Sequence, residues 1–323
     1  MADSPSPVIF VNFALTEEEM QALQEAAPAA EFRYFGDRPA DFENEIPEAD
    51  ILVGRGDGST ISPAALQRAT RLKWIHSWAA GPNELLYPEM MASPVVLTSS
   101  VGSGAIGMAE HAVMLMLLLN RGAVAWIRAQ DEHRWERGVH GELYGLTCGI
   151  VGMGHTGQDL AFKLHSFHMR VIGIRRNQRP TPNVDELFTH EQLPEFLAQS
   201  DFVVVTEPRT AETLDMFGEQ EFRQMKPTAY FICSSRGGIA NEAALLRALN
   251  EGWIAGAGLD AFAQEPLPED SPFWSAPNTI VTPHIGAQSA RRRRASLEMF
   301  ADNLQRYLRG EPLSNVVDKQ AGY

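Results

Sequence analysis

The sequence is short of several things, and each shortage removes a class of protein. Cys148 and Cys233 are its only two cysteines in 323 residues, too few for a disulfide framework and in keeping with a reducing cytoplasm. The longest apolar run, residues 113–119, falls far short of the about 20 residues that a bilayer span needs. No membrane association is therefore expected. The opening Met-Ala-Asp-Ser-Pro-Ser-Pro has neither the basic start nor the apolar core of a secretory signal. Positive charge is scarce as well: 27 Lys and Arg face 41 Asp and Glu, a net −14 that argues against nucleic acid as a partner. One local exception, Arg291-Arg292-Arg293-Arg294, reads either as an anion patch or as a solvated helix turn, and basic runs usually belong to the second kind. With no His-Glu-x-x-His and no cysteine cluster, no metal site is expected.

What the sequence does have is alternation. Residues 8–13 read as a buried strand, and Thr16-Glu17-Glu18-Glu19 opens a helix with a capping-box pattern. Further short apolar strands follow at 51–53, 73–77 and 95–98. From Met108 a helical pattern runs through Ala109, Val113, Met116 and Leu117 towards Trp126, as one long helix or as two joined near Gly122. A second alternating stretch predicts strands at 146–151, 170–174, 202–205, 229–233, 255–259 and 279–281, with helices at 156–167, 191–199 and 242–251. A last helix runs from about Ser289 through Tyr307. The expected fold is α/β with two doubly wound domains. A flavodoxin-like domain would comprise residues 1–100 plus 289–323, and a Rossmann dinucleotide-binding domain residues 101–288.

The second stretch opens on Gly152-Met153-Gly154-His155-Thr156-Gly157, a GxGxxG sequence between a strand and a helix. The chemistry explains the glycines: Gly152 for a tight turn, Gly154 for approach of a pyrophosphate, Gly157 for close helix–strand packing. The amides of His155 and Thr156 would then face phosphate charge at the helix start. An NAD site wants an acidic residue about 20 positions on, at the end of the next strand, whereas Arg accommodates a 2′-phosphate. Here Arg175 and Arg176 stand at that place. Two guanidiniums suit a dianionic phosphate, so NADP(H) is the preferred cofactor, with NAD(H) admissible.

Three later segments each follow a predicted strand, where ligand loops of an open α/β sheet lie. They are Cys233-Ser234-Ser235-Arg236-Gly237-Gly238, then Gly258-Leu259-Asp260-Ala261-Phe262 leading to Glu265-Pro266-Leu267-Pro268, and Thr282-Pro283-His284-Ile285-Gly286. With the glycine loop they occur in the order found in the D-isomer-specific 2-hydroxyacid dehydrogenase family, which the chain resembles over nearly its whole length. The resemblance implies a hydride transfer between NADP(H) and a small 2-keto acid/D-2-hydroxy acid pair. It also implies roles. Arg236 would grip the substrate carboxylate with its planar fork. His284 would be the general acid of reduction and the base of oxidation, since imidazole titrates near neutrality. Glu265 would bond and orient that imidazole, Asp260 would meet the nicotinamide carboxamide, and Ser234 and Pro208 would line the cofactor.

In the first domain, Lys73-Trp74-Ile75-His76-Ser77-Trp78-Ala79-Ala80-Gly81 is similar to the family segment whose amides receive the substrate carboxylate; by position these are Ala80 and Gly81. That domain would thus be the substrate domain. Pro82-Asn83 stands where the family often has Asp after the glycine. Trp78 is a candidate for the pocket wall, and His76 and His111 read as structural. Thr206-Glu207-Pro208 replaces the family's His-hydrophobic-Pro, Cys233 its Asn, and His155 an Arg frequent in the glycine loop. The resemblance further implies a homodimer formed by the helix after Met108, with the Trp135 region reaching the partner. Close alternatives are a glyoxylate or hydroxypyruvate reductase specifically, a reductase of bulkier aryl-keto acids, and a non-catalytic dinucleotide-sensing scaffold. Such a scaffold need not keep Arg236, Glu265 and His284 together.

Overall fold

The computed structural model describes residues 6–36, 39–56, 60–81 and 83–322. The chain divides into two units, Met1–Ser103 with Ser289–Tyr323, and Gly104–Gln288.

In the first unit the strands β1 Val8–Val11, β2 Glu31–Tyr34, β3 Ile51–Gly54, β4 Trp74–Ser77 and β5 Val96–Ser99 pair in parallel in the order β2-β1-β3-β4-β5, the flavodoxin-like winding. β1, β3 and β4 are buried at every position, as strands covered on both faces require. β2, with the sequence Glu-Phe-Arg-Tyr, lies at the edge and is largely half-exposed. It has no apolar run, which is why the sequence reading passes over it. The helices are α1 Glu17–Ala26, α2 Pro39–Glu45, α3 Pro63–Arg68 and α4 Pro88–Ala92. The capping box of α1 is formed: Thr16 N donates to Glu19 Oε2 at 2.8 Å and Glu19 N to Thr16 Oγ1 at 3.2 Å, a cap contributing about 1 kcal/mol.

The helix Ala290–Arg309 belongs to this same unit and stacks Phe300 and Tyr307 on Trp74, with ring centroids 5.4 and 5.6 Å apart. The four-arginine run is its first turn. Ser289 caps it through Arg292 N at 3.1 Å, Arg293 pairs with Glu19, and Arg294 pairs with Glu298 at 3.0 Å. The run is therefore largely tied into its own unit.

In the second unit β6 Thr147–Val151, β7 Arg170–Ile174, β8 Glu186–Phe188, β9 Phe202–Val205, β10 Tyr230–Cys233, β11 Gly256–Leu259 and β12 Thr279–Val281 form a parallel sheet. Its order is β8-β7-β6-β9-β10-β11-β12, the Rossmann winding with one further strand. The strand order reverses its direction of winding between the parallel β6 and β9, so the loops after those strands open at the switch point where ligands bind in such sheets. Under the sheet, Phe217, Phe222 and Phe231 pack edge to face at 5.1 and 5.2 Å, a geometry aromatic quadrupoles favour.

The helices of this unit are α5 Ala105–Asn120, α6 Ala123–Asp131, α7 His155–His165, α8 Leu193–Gln199, α9 Glu219–Gln224 and α10 Glu242–Asn250. α5 and α6 meet at a 71° bend at Gly122, whose φ of 72° suits a residue without a Cβ. This settles the one-helix-or-two question. Among the described residues no single helix is long and apolar enough to cross a membrane.

Candidate functional site

The glycine loop is shaped by close approach. β6 ends at Val151, and Gly152 turns the chain at φ 102°. A Cβ on Gly152 would fall 2.5 Å from Glu207 Cγ and 2.8 Å from Glu207 N, and one on Gly157 would fall 2.1 Å from Gly152 O. Neither position admits a side chain. Around Gly154, by contrast, nothing lies within 4 Å of where a Cβ would sit. α7 begins directly after it, and no side chain caps that end, so the His155 and Thr156 amides head a helix with its positive pole exposed to a ligand. Across the sheet edge, after β10, Ser234 is 2% exposed and its hydroxyl has no hydrogen-bond partner among the described residues. An open turn, an uncapped eleven-residue helix and an orphaned buried hydroxyl fit a pyrophosphate-bearing dinucleotide.

Beyond β7 lie the two arginines. Arg175 Nη1 donates to Thr181 Oγ1 at 3.0 Å, and Arg176 Nη2 pairs with Glu212 Oε2 at 2.7 Å on a well-exposed surface. Pro208 presents its carbonyl to Thr213 Oγ1 at 2.8 Å. Next to it, His190 Nε2 donates to both Glu207 carboxylate oxygens at 3.1 Å. That carboxylate holds the imidazole above its ordinary pKa, against partial burial.

The three later loops are bonded to one another. Gly237 brings the first against the second: a Cβ there would fall 1.9 Å from Phe262 C and 2.2 Å from Ala263 N. Arg236, on that first loop, is half-buried and donates from Nη1 to Ser235 O at 2.7 Å. In the second loop Phe262 N donates to Glu265 Oε1 at 2.9 Å. The other Glu265 oxygen, Oε2, accepts from His284 Nδ1 at 2.7 Å. His284 sits at φ 54°, a left-handed conformation uncommon for a side-chain-bearing residue. Asp260 fixes the loop that carries it. This carboxylate, 1% exposed, accepts at Oδ1 from Thr282 Oγ1 at 2.6 Å and Ile285 N at 2.9 Å, and at Oδ2 from Gly286 N at 2.8 Å. Its expected reach to a nicotinamide carboxamide has to coexist with these three bonds.

Sequence reasoning took His111 for a structural residue. From α5 its Nε2 lies 3.0 Å from Thr282 Oγ1 and 3.5 Å from Asp260 Oδ1, so it braces the His284 loop. No local signal marks it, because its partners are more than 140 residues away in the chain. His190 was missed altogether, though the departure at Glu207 pointed to its partner.

In the first unit Ala80 and Gly81 follow β4 and are half-buried. Pro82 lies outside the described residues. Trp78 packs on Phe13 with centroids 5.0 Å apart and joins the apolar core around α1. His76 is fully buried, with Thr98 Oγ1 at 2.8 Å and Ser100 Oγ at 3.1 Å, and burial pushes its pKa down to about 3. It is a neutral core imidazole.

A model of the family described as D-isomer specific 2-hydroxyacid dehydrogenase, NAD binding domain, matches residues 113–286. The glyoxylate reductase of Pyrococcus furiosus is 31% identical, over 97% of this chain and 96% of its own. A D-isomer specific 2-hydroxyacid dehydrogenase family protein from Aeromonas salmonicida shares the fold at a TM-score of 0.87 and 31% identity, over 98% of this chain and 100% of its own. The NADPH-dependent glyoxylate/hydroxypyruvate reductase of Sinorhizobium meliloti, solved with NADP and sulfate, follows at a TM-score of 0.86 and 33% identity, with 98% and 100% covered.

Proposed function

Because the chain belongs to the D-isomer specific 2-hydroxyacid dehydrogenase family, we propose that this NAD(P)-dependent enzyme is an NADP(H)-preferring reductase of a small 2-keto acid, of the glyoxylate or hydroxypyruvate type, forming the D-2-hydroxy acid. The second unit would hold the dinucleotide and the first would present the substrate amides.

The observation that carries the reading is the Glu265–His284 contact at 2.7 Å. With Nδ1 engaged by a carboxylate, Nε2 is the ring nitrogen left to serve a substrate oxygen. In reduction His284 Nε2 delivers a proton to the carbonyl oxygen, and in oxidation it takes the hydroxyl proton back. Glu265 fixes the tautomer and offsets the imidazolium charge. Arg236 grips the substrate carboxylate and polarises the neighbouring carbonyl. Asp260 acts through the loop it anchors, keeping His284 in its unusual backbone conformation. When bound, the dinucleotide supplies the hydride of reduction and accepts that of oxidation. Gly152, Gly154, Gly157 and the His155 and Thr156 amides would hold its pyrophosphate, Ser234 and Pro208 would line its path, and Arg175 and Arg176 would take a 2′-phosphate. The NADP in the Sinorhizobium relative supports the last assignment.

A homodimer is proposed on the apolar character of α5 and on the exposed Trp126, Ile127, Trp135 and Tyr144; light scattering of the purified protein tests it. The test of the function is steady-state kinetics with NADPH and NADH across glyoxylate, hydroxypyruvate, pyruvate and phenylpyruvate. A higher kcat/KM with NADPH on glyoxylate or hydroxypyruvate is expected. An NADH preference would remove the role given to Arg175 and Arg176, and failure to turn over any keto acid would sink the reductase.

A further inference from the structure

One charge pair beside the glycine loop has no part in the reaction above. Glu207 follows β9, and its side chain lies so close to the turn that a Cβ on Gly152 would stand 2.5 Å from Glu207 Cγ. This places a carboxylate next to a turn whose geometry suits phosphate, where like charge opposes binding. His190, after β8, covers that carboxylate, with Nε2 3.1 Å from each oxygen. The Glu207 side chain is 12% exposed, the His190 side chain 37%. The acid is thus tucked behind the turn, and the imidazole stands between it and solvent.

We propose that His190 and Glu207 are part of the dinucleotide site: the imidazolium cancels the carboxylate beside the phosphate turn, and this cancellation sets the affinity of the site for the dinucleotide phosphates. The inference rests on dinucleotide binding, which the family supplies, and not on the NADP(H) preference.

Charged groups from three directions act on the imidazole. Glu207 holds the proton on most strongly, by the hydrogen bond itself, and Glu191 on the same turn adds to it. Arg176, at the end of β7, opposes it but is itself paired with Glu212. The result is a pKa above the ordinary value of about 6.5. Below that raised pKa the pair is neutral. As pH rises through it the proton leaves, and Glu207 stands as a bare negative charge beside the turn. Bound phosphate favours the protonated imidazole, so binding takes up a fraction of a proton and affinity must fall as pH rises.

The test is the Kd of NADPH, by titration calorimetry, from pH 7 to 9, where a phosphate with a second pKa of about 6 stays dianionic. The wild-type Kd should rise about three- to tenfold, the size of one screened unit charge nearby. Glu207→Gln should flatten the profile and bind more tightly than wild type at pH 9. His190→Gln, at a half-exposed position that tolerates exchange, should be flat and as weak at pH 7 as wild type is at pH 9. NADH should show the wild-type slope, since the pyrophosphate is common to both cofactors. A wild-type Kd constant across the range, or a Glu207→Gln protein that keeps the wild-type slope, overturns the proposal.

Discussion

At the β10–β12 end of the large sheet, the acids Asp260 and Glu265 and the imidazoles of His111 and His284 are tied together through shared loops. Asp260 is buried under three bonds to the loop it anchors, His111 closes on the same loop, and Glu265 accepts the Phe262 N–H at one oxygen and offers the other to His284. At the β7–β9 end the charges meet in single pairs instead: Arg176 with Glu212 near water, His190 with the more buried Glu207. On the proposed function, the difference follows from what each end would do. Moving a proton onto a carbonyl needs an imidazole fixed to within a fraction of an ångström, which a hydrogen-bonded network anchored on the buried Asp260 provides. Holding a flexible, highly charged phosphate tail needs charge more than position, and single charge pairs deliver it with sensitivity to salt and pH.

Breaking the networked end should have the largest effects. His284→Ala should lower kcat by about 10²- to 10⁴-fold, the usual contribution of a positioned acid–base group, with the Kd of the dinucleotide within about twofold of wild type. Calorimetry beside initial rates separates the two, and retained turnover would remove His284 from the proton step. Asp260→Asn keeps the shape but turns an amide donor towards the Ile285 or Gly286 N–H. It should cost about 2–4 kcal/mol of stability, read as a melting temperature several degrees lower, together with a fall in kcat as the His284 loop loosens. An unchanged melting temperature would mean that the network is not the anchor it is taken for.

The same contrast governs how much the sequence discloses. Central strands such as β3, β6 and β9 are legible because burial on both faces makes them continuous apolar runs. Two of the four edge strands, β2 and β8, Glu-Phe-Arg-Tyr and Glu-Leu-Phe, have a solvated flank and no such run, so they are passed over, whereas β5 and β12 keep a short apolar run. Arg236, Glu265 and His284 are legible as residues just past strand ends. Their bonding is not, because the Glu265–His284 contact depends on how two loops 19 residues apart fold together, and His111 meets Thr282 across 171 residues. At the other end the two arginines after β7 can be read directly, whereas their partners, Thr181 for Arg175 and Glu212 for Arg176, have to be seen.

The end with single pairs should yield smaller, more graded effects. Replacing Arg175 and Arg176 together by Ser should cut the preference for NADPH over NADH by about 10- to 100-fold, as expected for two charge-assisted phosphate contacts, with NADH kinetics little changed. An equal loss with both cofactors would mean the arginines serve the fold.

The smallest effect sharpens the comparison most. Arg176 is already engaged by Glu212 at 2.7 Å, with the two side chains 62% and 77% exposed. An exposed pair of this kind adds little to stability, because solvent screens it and two long side chains lose freedom to form it. Its cost to ligand binding is more definite, since a 2′-phosphate must compete with the carboxylate for the same guanidinium. Glu212→Gln should therefore leave the melting temperature within about 2 °C while tightening NADPH about two- to threefold at low salt, a gain that fades as ionic strength approaches about 1 M and the Debye length shrinks to about 3 Å. NADH binding should not respond. If NADH gained as much as NADPH, Glu212 would be acting on the pyrophosphate, and the phosphate-holding end would have to be drawn as one field instead of two separate pairs.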